Sequence, residues 1–150
     1  MSLSDILQIL NTEAARAPQY QAVPLVALFK SLKSSGYKLG VATNDAETPA
    51  LAHLDSVSAA EYLDFIAGYD SGHGAKPEPG QLLAFSDQLG LKPQDCVMVG
   101  DSLHDLKAGR AAGFATVGVL TGYAQESELA DYAHVVLPNI GHLPNWLAQQ

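Results

Sequence analysis

The clearest chemical signal in the sequence is a pair of aspartates, Asp101 and Asp105, that follow Gly100 at the end of an apolar run. Carboxylates four residues apart converge on one side of a helix, and a helix is predicted to begin between them. Two carboxylates held close repel each other unless a cation lies between them, and oxygen ligands suit Mg²⁺. The structural alternative is that Asp101 caps the helix and Asp105 lies in its first turn, where the helix dipole favours acids. Gly100 favours the metal interpretation, because glycine allows a ligand to approach closely.

A second group of polar residues suits an anion. Lys76 precedes Pro77 in a rigid loop and can neutralise a phosphate or a carboxylate as a point charge. Its alternative is an ordinary solvated lysine. Thr43 and Asn44 follow another apolar run and can bind an anion through the hydroxyl and nearby backbone N–H groups, or simply form a strand-to-helix turn. Each residue is ambiguous alone, and their order along the chain makes the set informative.

The elements that must position these residues alternate between strands and helices. Such alternation indicates βαβ units, and therefore an α/β fold with a parallel sheet and helices on both faces. Ligands of open α/β sheets bind beyond the carboxyl ends of the strands, which is where all five candidate residues fall. The predicted strands are residues 38–43, 65–69, 96–100, 115–120 and 135–137. The predicted helices are residues 4–17, 24–34, 48–54, 79–89, 103–112 and 143–148.

Composition excludes several classes of function. The 150 residues carry 16 acids, 8 bases and a formal charge of −8, with no basic cluster, which argues against nucleic acid and against an anionic membrane surface. No apolar stretch approaches the ~20 residues that would span a bilayer. The single cysteine, Cys96, lies in a predicted core strand and cannot form an internal disulfide. The N-terminus shows no secretory signal, so we expect a cytoplasmic protein.

The ordered motifs resemble those of a known superfamily. Residues 41–45 (Val-Ala-Thr-Asn-Asp), 76–79 (Lys-Pro-Glu-Pro) and 99–105 (Val-Gly-Asp-Ser-Leu-His-Asp) resemble motifs two, three and four of the haloacid dehalogenase-like hydrolases. Residues 109–113 and 119–123 look most like the phosphoglycolate-phosphatase-like branch. The resemblance covers roughly residues 22–147 and is specific as a set, although each motif is short.

The resemblance implies a Rossmann-like core and a Mg²⁺-assisted phosphatase that hydrolyses a small phosphorylated metabolite through a phosphoaspartate. Thr43 and Asn44 would then hold the transferring phosphoryl group, and Lys76 would neutralise that group and the nucleophile. Asp101 would bind Mg²⁺ with the support of Asp105, so that both count as metal-site residues. These roles agree with the physics of phosphoryl transfer, in which catalysis is mainly positioning and charge neutralisation.

The sequence departs from the family pattern upstream of Thr43. The family's first motif, Asp-x-Asp-Gly-Thr, carries the nucleophile and the general acid/base on the first strand, and it is absent here. The only carboxylates before Asp45 are Asp5 and Glu13, both within the helix predicted over residues 4–17. We therefore expect the chain to lack the central strand of the sheet, the nucleophile and most of the mobile cap.

This departure sets the expected domain organisation. Residues 1–21 are interpreted as a tag remnant followed by a residual cap helix, and residues 22–150 as a truncated hydrolase core domain. An unfilled sheet centre would expose strand edges and apolar surface, so we expect a homodimer that covers it. We also expect this chain alone to turn over little or no substrate.

Two alternative functions stay open at this point. The chain can be a natural non-catalytic relative that binds a phosphate ligand or a protein partner. It can also be a dehalogenase, phosphonatase or phosphomutase of the same superfamily. Lys76 together with Asp101 and Asp105 favours phosphoryl chemistry over dehalogenation, which needs no metal.

Overall fold

A computed structural model describes residues 7–10, as a backbone strand, and residues 24–150. Its centre is a parallel sheet in which the strands are ordered β3-β2-β1-β4-β5-β6. This topology confirms the predicted α/β class, since all of the pairings between these strands are parallel. The strands are β1 (Leu7–Leu10), β2 (Lys38–Ala42), β3 (Phe65–Ala67), β4 (Val97–Gly100), β5 (Ala115–Val119) and β6 (Val135–Leu137).

The position of β1 corrects two of the sequence-based predictions. Leu7–Leu10 lie between β2 and β4, with Leu7 opposite Lys38 and Gln8 opposite Val97. The helix predicted over residues 4–17 is therefore wrong at these four residues, and the remainder of it lies outside the described residues. The predicted gap at the centre of the sheet is wrong as well.

The physical reason for the correction is long-range pairing. Leu7–Leu10 have a parallel strand on each side, and these long-range pairings satisfy backbone groups that a helix would satisfy locally. Local spacing of apolar residues carries no information on such partners. The chain itself fills the centre of the sheet with β1, so the inner edges of β2 and β4 are paired there, and the homodimer stays a prediction.

Helices cover both faces of the sheet, as predicted. Alternate residues of β4 show this division, because Val97 and Val99 belong to one buried apolar cluster and Met98 belongs to another. Within the described residues, none of the helices has the length and apolar character needed to cross a membrane. The helices are α1 (Leu25–Ser34), α2 (Glu47–Ser56), α3 (Gly80–Gln88), α4 (Leu103–Ala112), α5 (Glu126–Ala130) and α6 (Leu143–Ala148).

The helix that positions the carboxylates, α4, has the bounds that the sequence predicted. It begins with a capping box, in which the hydroxyl of Ser102 and the carboxylate of Asp105 bond to each other's backbone N–H groups. It ends at Gly113, whose φ of 83° is the left-handed conformation that glycine adopts without strain. The N-cap is therefore Ser102, and Asp101 stays outside the helix.

Candidate active site

The carboxyl ends of β2 and β4 bring the predicted site residues to one edge of the sheet. The link between them is Lys76, in the loop between β3 and α3, whose Nζ atom lies 2.7 Å from Oδ1 of Asp105 and 2.7 Å from the carbonyl oxygen of Ala42. The two charged side chains are only 1% and 0% exposed. The solvated-lysine alternative is therefore wrong, because a buried ammonium is stable only with partners of this kind.

Asp105 uses both of its carboxylate oxygens in this arrangement. Oδ1 accepts from Lys76, and Oδ2 accepts from the backbone N–H groups of Asp101 and Ser102 at 3.2 and 3.3 Å. Gly100 makes this possible, because a Cβ atom at that position would overlap the side chain of Asp105. Gly100 thus allows the side chain of Asp105 to pack against the backbone, in addition to allowing a ligand to approach.

Thr43 lies at the same edge, buried directly after β2. Its N–H donates to the carbonyl of Ala67 at 3.0 Å, and its hydroxyl oxygen accepts from the N–H of Asp45 at 3.0 Å. Its carbonyl accepts from Nε2 of Gln81 at 2.9 Å. These three bonds fix the turn that follows β2. They therefore orient the hydroxyl of Thr43, which lies between two residues bonded to Lys76, Ala42 and Asn44.

Asn44 is oriented by Lys76. Its Nδ2 donates to the backbone carbonyl of Lys76 at 3.0 Å, and its Oδ1 accepts from the backbone N–H of Lys76 at 2.9 Å. The structure thus brings Thr43, Asn44, Lys76 and Asp105 together, although they are separated by up to 62 positions in the chain. It assigns Asn44 a contact that the motif alone did not indicate.

Asp101 lies at the end of β4 and is 7% exposed. The loop after β5 packs against it, and a Cβ atom at Gly122 would be 2.5 Å from Oδ2 of Asp101. The neighbouring Thr121 is also buried, and its Oγ1 has no hydrogen-bond partner. The sequence placed residues 119–123 in a family motif but did not indicate that Gly122 lies against Asp101.

Gln81 is a second residue that the sequence did not single out. It is fully buried in the first turn of α3, where Nε2 bonds to Thr43 while Oε1 has no hydrogen-bond partner. Glutamine near the start of a helix gives no signal of such a role, because most glutamines are exposed. Only the packing of α3 against the end of β2 reveals it.

The family resemblance implies Mg²⁺ at this site, and the side chains present set how such an ion could be held. Among the described residues, no three His, Cys, Asp or Glu side chains cluster so that they could hold a metal. Asp105 is bound to Lys76 and to backbone N–H groups, and the assignment of Asp101 to a cation stays a prediction from the family resemblance. Mg²⁺ in proteins is often held by one or two carboxylates, with water and substrate phosphate completing the octahedron. The residues present fit a site of that kind, and they do not form an all-protein cage.

Cys96 lies before β4, at the opposite end of that strand from Asp101. Burial, with a smaller effect from the neighbouring Asp95, raises the pKa of the Cys96 thiol to about 12. The thiol donates to the carbonyl of Lys92 at 3.3 Å. A protonated thiol in an apolar cluster behaves as a small hydrophobic group, as predicted.

Comparison with known proteins agrees with this geometry. Residues 2–119 match the family model described as "Haloacid dehalogenase-like hydrolase". The chain belongs to this family of hydrolases.

Among its named relatives, a phosphoglycolate phosphatase of Rhodospirillum rubrum is 35% identical over 122 residues, which are 81% of this chain and 51% of that protein. A phosphoglycolate phosphatase of Escherichia coli K12 is 37% identical over 94 residues, covering 62% of this chain and 37% of that protein. These similarities confirm the predicted branch of the family. The chain spans about half the length of the curated relatives it matches, or less.

The fold also matches solved structures. The crystal structure of a hydrolase from Pseudomonas syringae superposes with a TM-score of 0.75 at 26% identity, covering 88% of this chain and 60% of that chain. The Rossmann-like arrangement of the described strands and helices is thus shared with a hydrolase of known structure.

Proposed function

We propose that the site binds the phosphoryl group of a small phosphomonoester, and that the whole protein is a phosphatase acting through a phosphoaspartate with the assistance of Mg²⁺. The observation that carries this proposal is the buried Lys76–Asp105 pair beside Thr43. A cation fixed at the carboxyl edge of a parallel sheet, next to a buried hydroxyl, is suited to an anionic ligand. The names of the relatives support a phosphorylated substrate.

Each residue has a role in this proposal. The hydroxyl of Thr43 contacts a phosphoryl oxygen, and Lys76 offsets its negative charge from inside the protein. Asp101 holds Mg²⁺ while Asp105 keeps the ammonium of Lys76 in place. When bound, Mg²⁺ would neutralise part of the charge on the phosphoryl oxygens. The burial of Lys76 strengthens its interaction with an anion, because few water molecules screen it.

For the chain of 150 residues by itself, we propose phosphate binding with little or no turnover. The sequence contains no Asp-x-Asp-Gly-Thr motif. Asp5 and Glu13, the carboxylates upstream of Asp45, lie outside the described residues. If neither carboxylate is positioned for nucleophilic attack, no phosphoaspartate forms. This reasoning makes a non-catalytic phosphate-binding relative the second candidate function.

The test is calorimetric titration of the chain with inorganic phosphate, with and without Mg²⁺, together with an assay of p-nitrophenyl phosphate hydrolysis. We expect binding that Mg²⁺ strengthens and that Lys76→Met abolishes, while the exposed control Lys92→Met leaves it unchanged. Because Lys76→Met leaves Asp105 unpaired, the double variant Lys76→Met/Asp105→Asn serves as a second folded reference.

The outcomes separate the candidates. Equal phosphate affinity in the wild type and the Lys76 variants would contradict the proposed site. Mg²⁺-dependent hydrolysis by this chain would contradict the proposal that it binds without turnover, while leaving the phosphatase function intact.

A further inference from the structure

Asn44 and Lys76 form a two-way hydrogen bond across 32 positions of the chain. The side-chain amide of Asn44 both donates to and accepts from the backbone of Lys76, much as one strand residue pairs with another. The distances of 3.0 and 2.9 Å are typical of good N–H···O bonds. Asn44 thus fixes the peptide groups on both sides of the Cα atom of Lys76.

The other end of the lysine is fixed by the same segment of chain. Nζ of Lys76 donates to the carbonyl of Ala42, two residues before Asn44. The lysine side chain is a flexible four-carbon stem, so the position of its charge is defined only when both ends are held. Here the end of β2 holds the backbone through Asn44 and the ammonium through Ala42.

We propose that Asn44 is a positioning residue that places the charge of Lys76, and that its effect on a bound phosphoryl group is exerted through this lysine. This inference rests on the proposed function for the role of Lys76. The family resemblance implied a direct contact between Asn44 and the phosphoryl group. In the structure, the side-chain amide of Asn44 is oriented by its two hydrogen bonds to the backbone of Lys76.

The test compares Asn44→Ala with the matched control Asn139→Ala in the full chain. Asn139 also accepts a backbone N–H bond through its side chain, from Gly141 at 2.9 Å, but it precedes the turn before α6. Three quantities are measured: amide hydrogen exchange at Lys76, the NMR signal of the ¹³Cε atom of Lys76, and the affinity for inorganic phosphate. The ¹³Cε signal is assigned from its absence in Lys76→Met/Asp105→Asn.

We expect Asn44→Ala to accelerate exchange at the Lys76 amide and to shift its ¹³Cε signal in the ligand-free protein. The affinity for phosphate should fall by about tenfold, because Asn44→Ala removes the hydrogen bonds that hold the backbone of the charged Lys76. Asn139→Ala should leave all three quantities at wild-type values. A residue that only contacts the ligand would lower the affinity without changing Lys76 in the ligand-free protein, and that result would overturn the proposal.

A second variant guards against loss of folding. Asn44→Asp retains an acceptor for the backbone N–H of Lys76, but it places an oxygen against the backbone carbonyl of Lys76 where Asn44 had a donor. We therefore expect a shifted ¹³Cε signal of Lys76, while the backbone amide of Lys76 stays protected from exchange. An unchanged ¹³Cε signal in this variant would overturn the proposal. If the wild type binds no phosphate, the proposed function fails, whereas the ligand-free readings still decide whether Asn44 positions Lys76.

Discussion

The ammonium of Lys76 and the carboxylate of Asp105 form a 2.7 Å ion pair that is almost completely shielded from solvent. A second pair, Lys33 with Asp64, has a similar distance of 2.6 Å, but its side chains are 31% and 24% exposed. The two pairs share their chemistry and differ in their surroundings. The buried pair differs from the exposed one in its burial and in the two backbone N–H groups that Asp105 also accepts.

Removing Asp105 should destabilise the fold far more than removing Lys33. Asp105→Ala leaves a buried ammonium unpaired and removes the acceptor of two backbone N–H groups, so we expect a loss of about 3–5 kcal/mol. Lys33→Ala should cost about 0–1 kcal/mol, because water screens the exposed pair. Urea unfolding of both variants measures the difference. Losses of equal size would show that the buried pair has no special role in stability.

Gly122 and Gly109 offer a matched pair of glycine-to-alanine changes. At Gly122 the new Cβ would lie 2.5, 2.7 and 3.0 Å from Oδ2, Cγ and Cβ of Asp101, so the Asp101 side chain must shift. We expect Gly122→Ala to weaken Mg²⁺-dependent phosphate binding by about tenfold, with a loss of stability below about 1 kcal/mol. Phosphate titration with Mg²⁺ and urea unfolding measure the two effects.

The control, Gly109→Ala, places its Cβ 2.7 Å from Cγ2 of Thr116 and 2.9 Å from Cβ of Met98, inside the core. It should lose about 1–3 kcal/mol of stability and keep its phosphate affinity. The assignment of Asp101 to the metal would be wrong if the two variants behaved alike in the binding experiment.

Cys96 should make stability fall with pH in the alkaline range. In the unfolded chain the thiol has its ordinary pKa of 9.0. In the folded protein burial, with a smaller contribution from the charge of Asp95, raises the pKa of Cys96 to about 12. Between these values the folded state holds a proton that the unfolded state has lost, so stability decreases as the pH rises, by up to about 1.4 kcal/mol per pH unit. Urea unfolding from pH 8 to 11 should show a smaller decrease for Cys96→Ala than for the wild type. Parallel pH profiles of the two proteins would refute the shifted thiol.

Gln81 should tolerate methionine better than glutamate. Gln81→Met loses the bond to Thr43 but also removes the buried Oε1 that has no partner, so we expect a loss of about 1 kcal/mol. Gln81→Glu can donate to the carbonyl of Thr43 only as the protonated acid, and taking up that proton at pH 7 costs about 3 kcal/mol. That cost should shrink as the pH falls towards about 4, where the unfolded carboxyl is protonated too. Thermal unfolding at pH 5 and 7 shows which of the two variants is more stable and how the difference depends on pH. A more stable Gln81→Glu would mean that Oε1 of Gln81 has a hydrogen-bond partner in solution.

Much of the fold could be predicted because buried parallel strands leave a strong local pattern. The apolar runs at residues 38–43, 96–100 and 115–120 correspond to β2, β4 and β5, and the bounds of α4 were predicted correctly. β1 could not be found in this way, because Leu7–Leu10 are strand only by virtue of partners about 30 and 90 residues away along the chain. A four-residue segment such as Leu-Gln-Ile-Leu has no local feature that separates strand from helix.

The candidate site was predictable in its membership and not in its internal contacts. Thr43, Lys76 and Asp101 follow predicted strands or lie in a loop between elements, which is enough to place them at one edge of the sheet. The sequence does not show that Asp105 is bound by Lys76, or that Asn44 holds the backbone of the same lysine. Those contacts depend on the shape of the loop that ends at α3, and loop geometry is set by the assembled structure.

One carboxylate, that of Asp105, both completes the capping box of α4 and pairs with Lys76. A substitution of Asp105 therefore changes both the N-terminal cap of α4 and the charge of the site. In a library of random substitutions, variants that lose this carboxylate should be removed by a heat challenge before any ligand is added. A simple screen for thermal resistance would thereby enrich intact sites, and selection in the cell on folding alone would tend to preserve them.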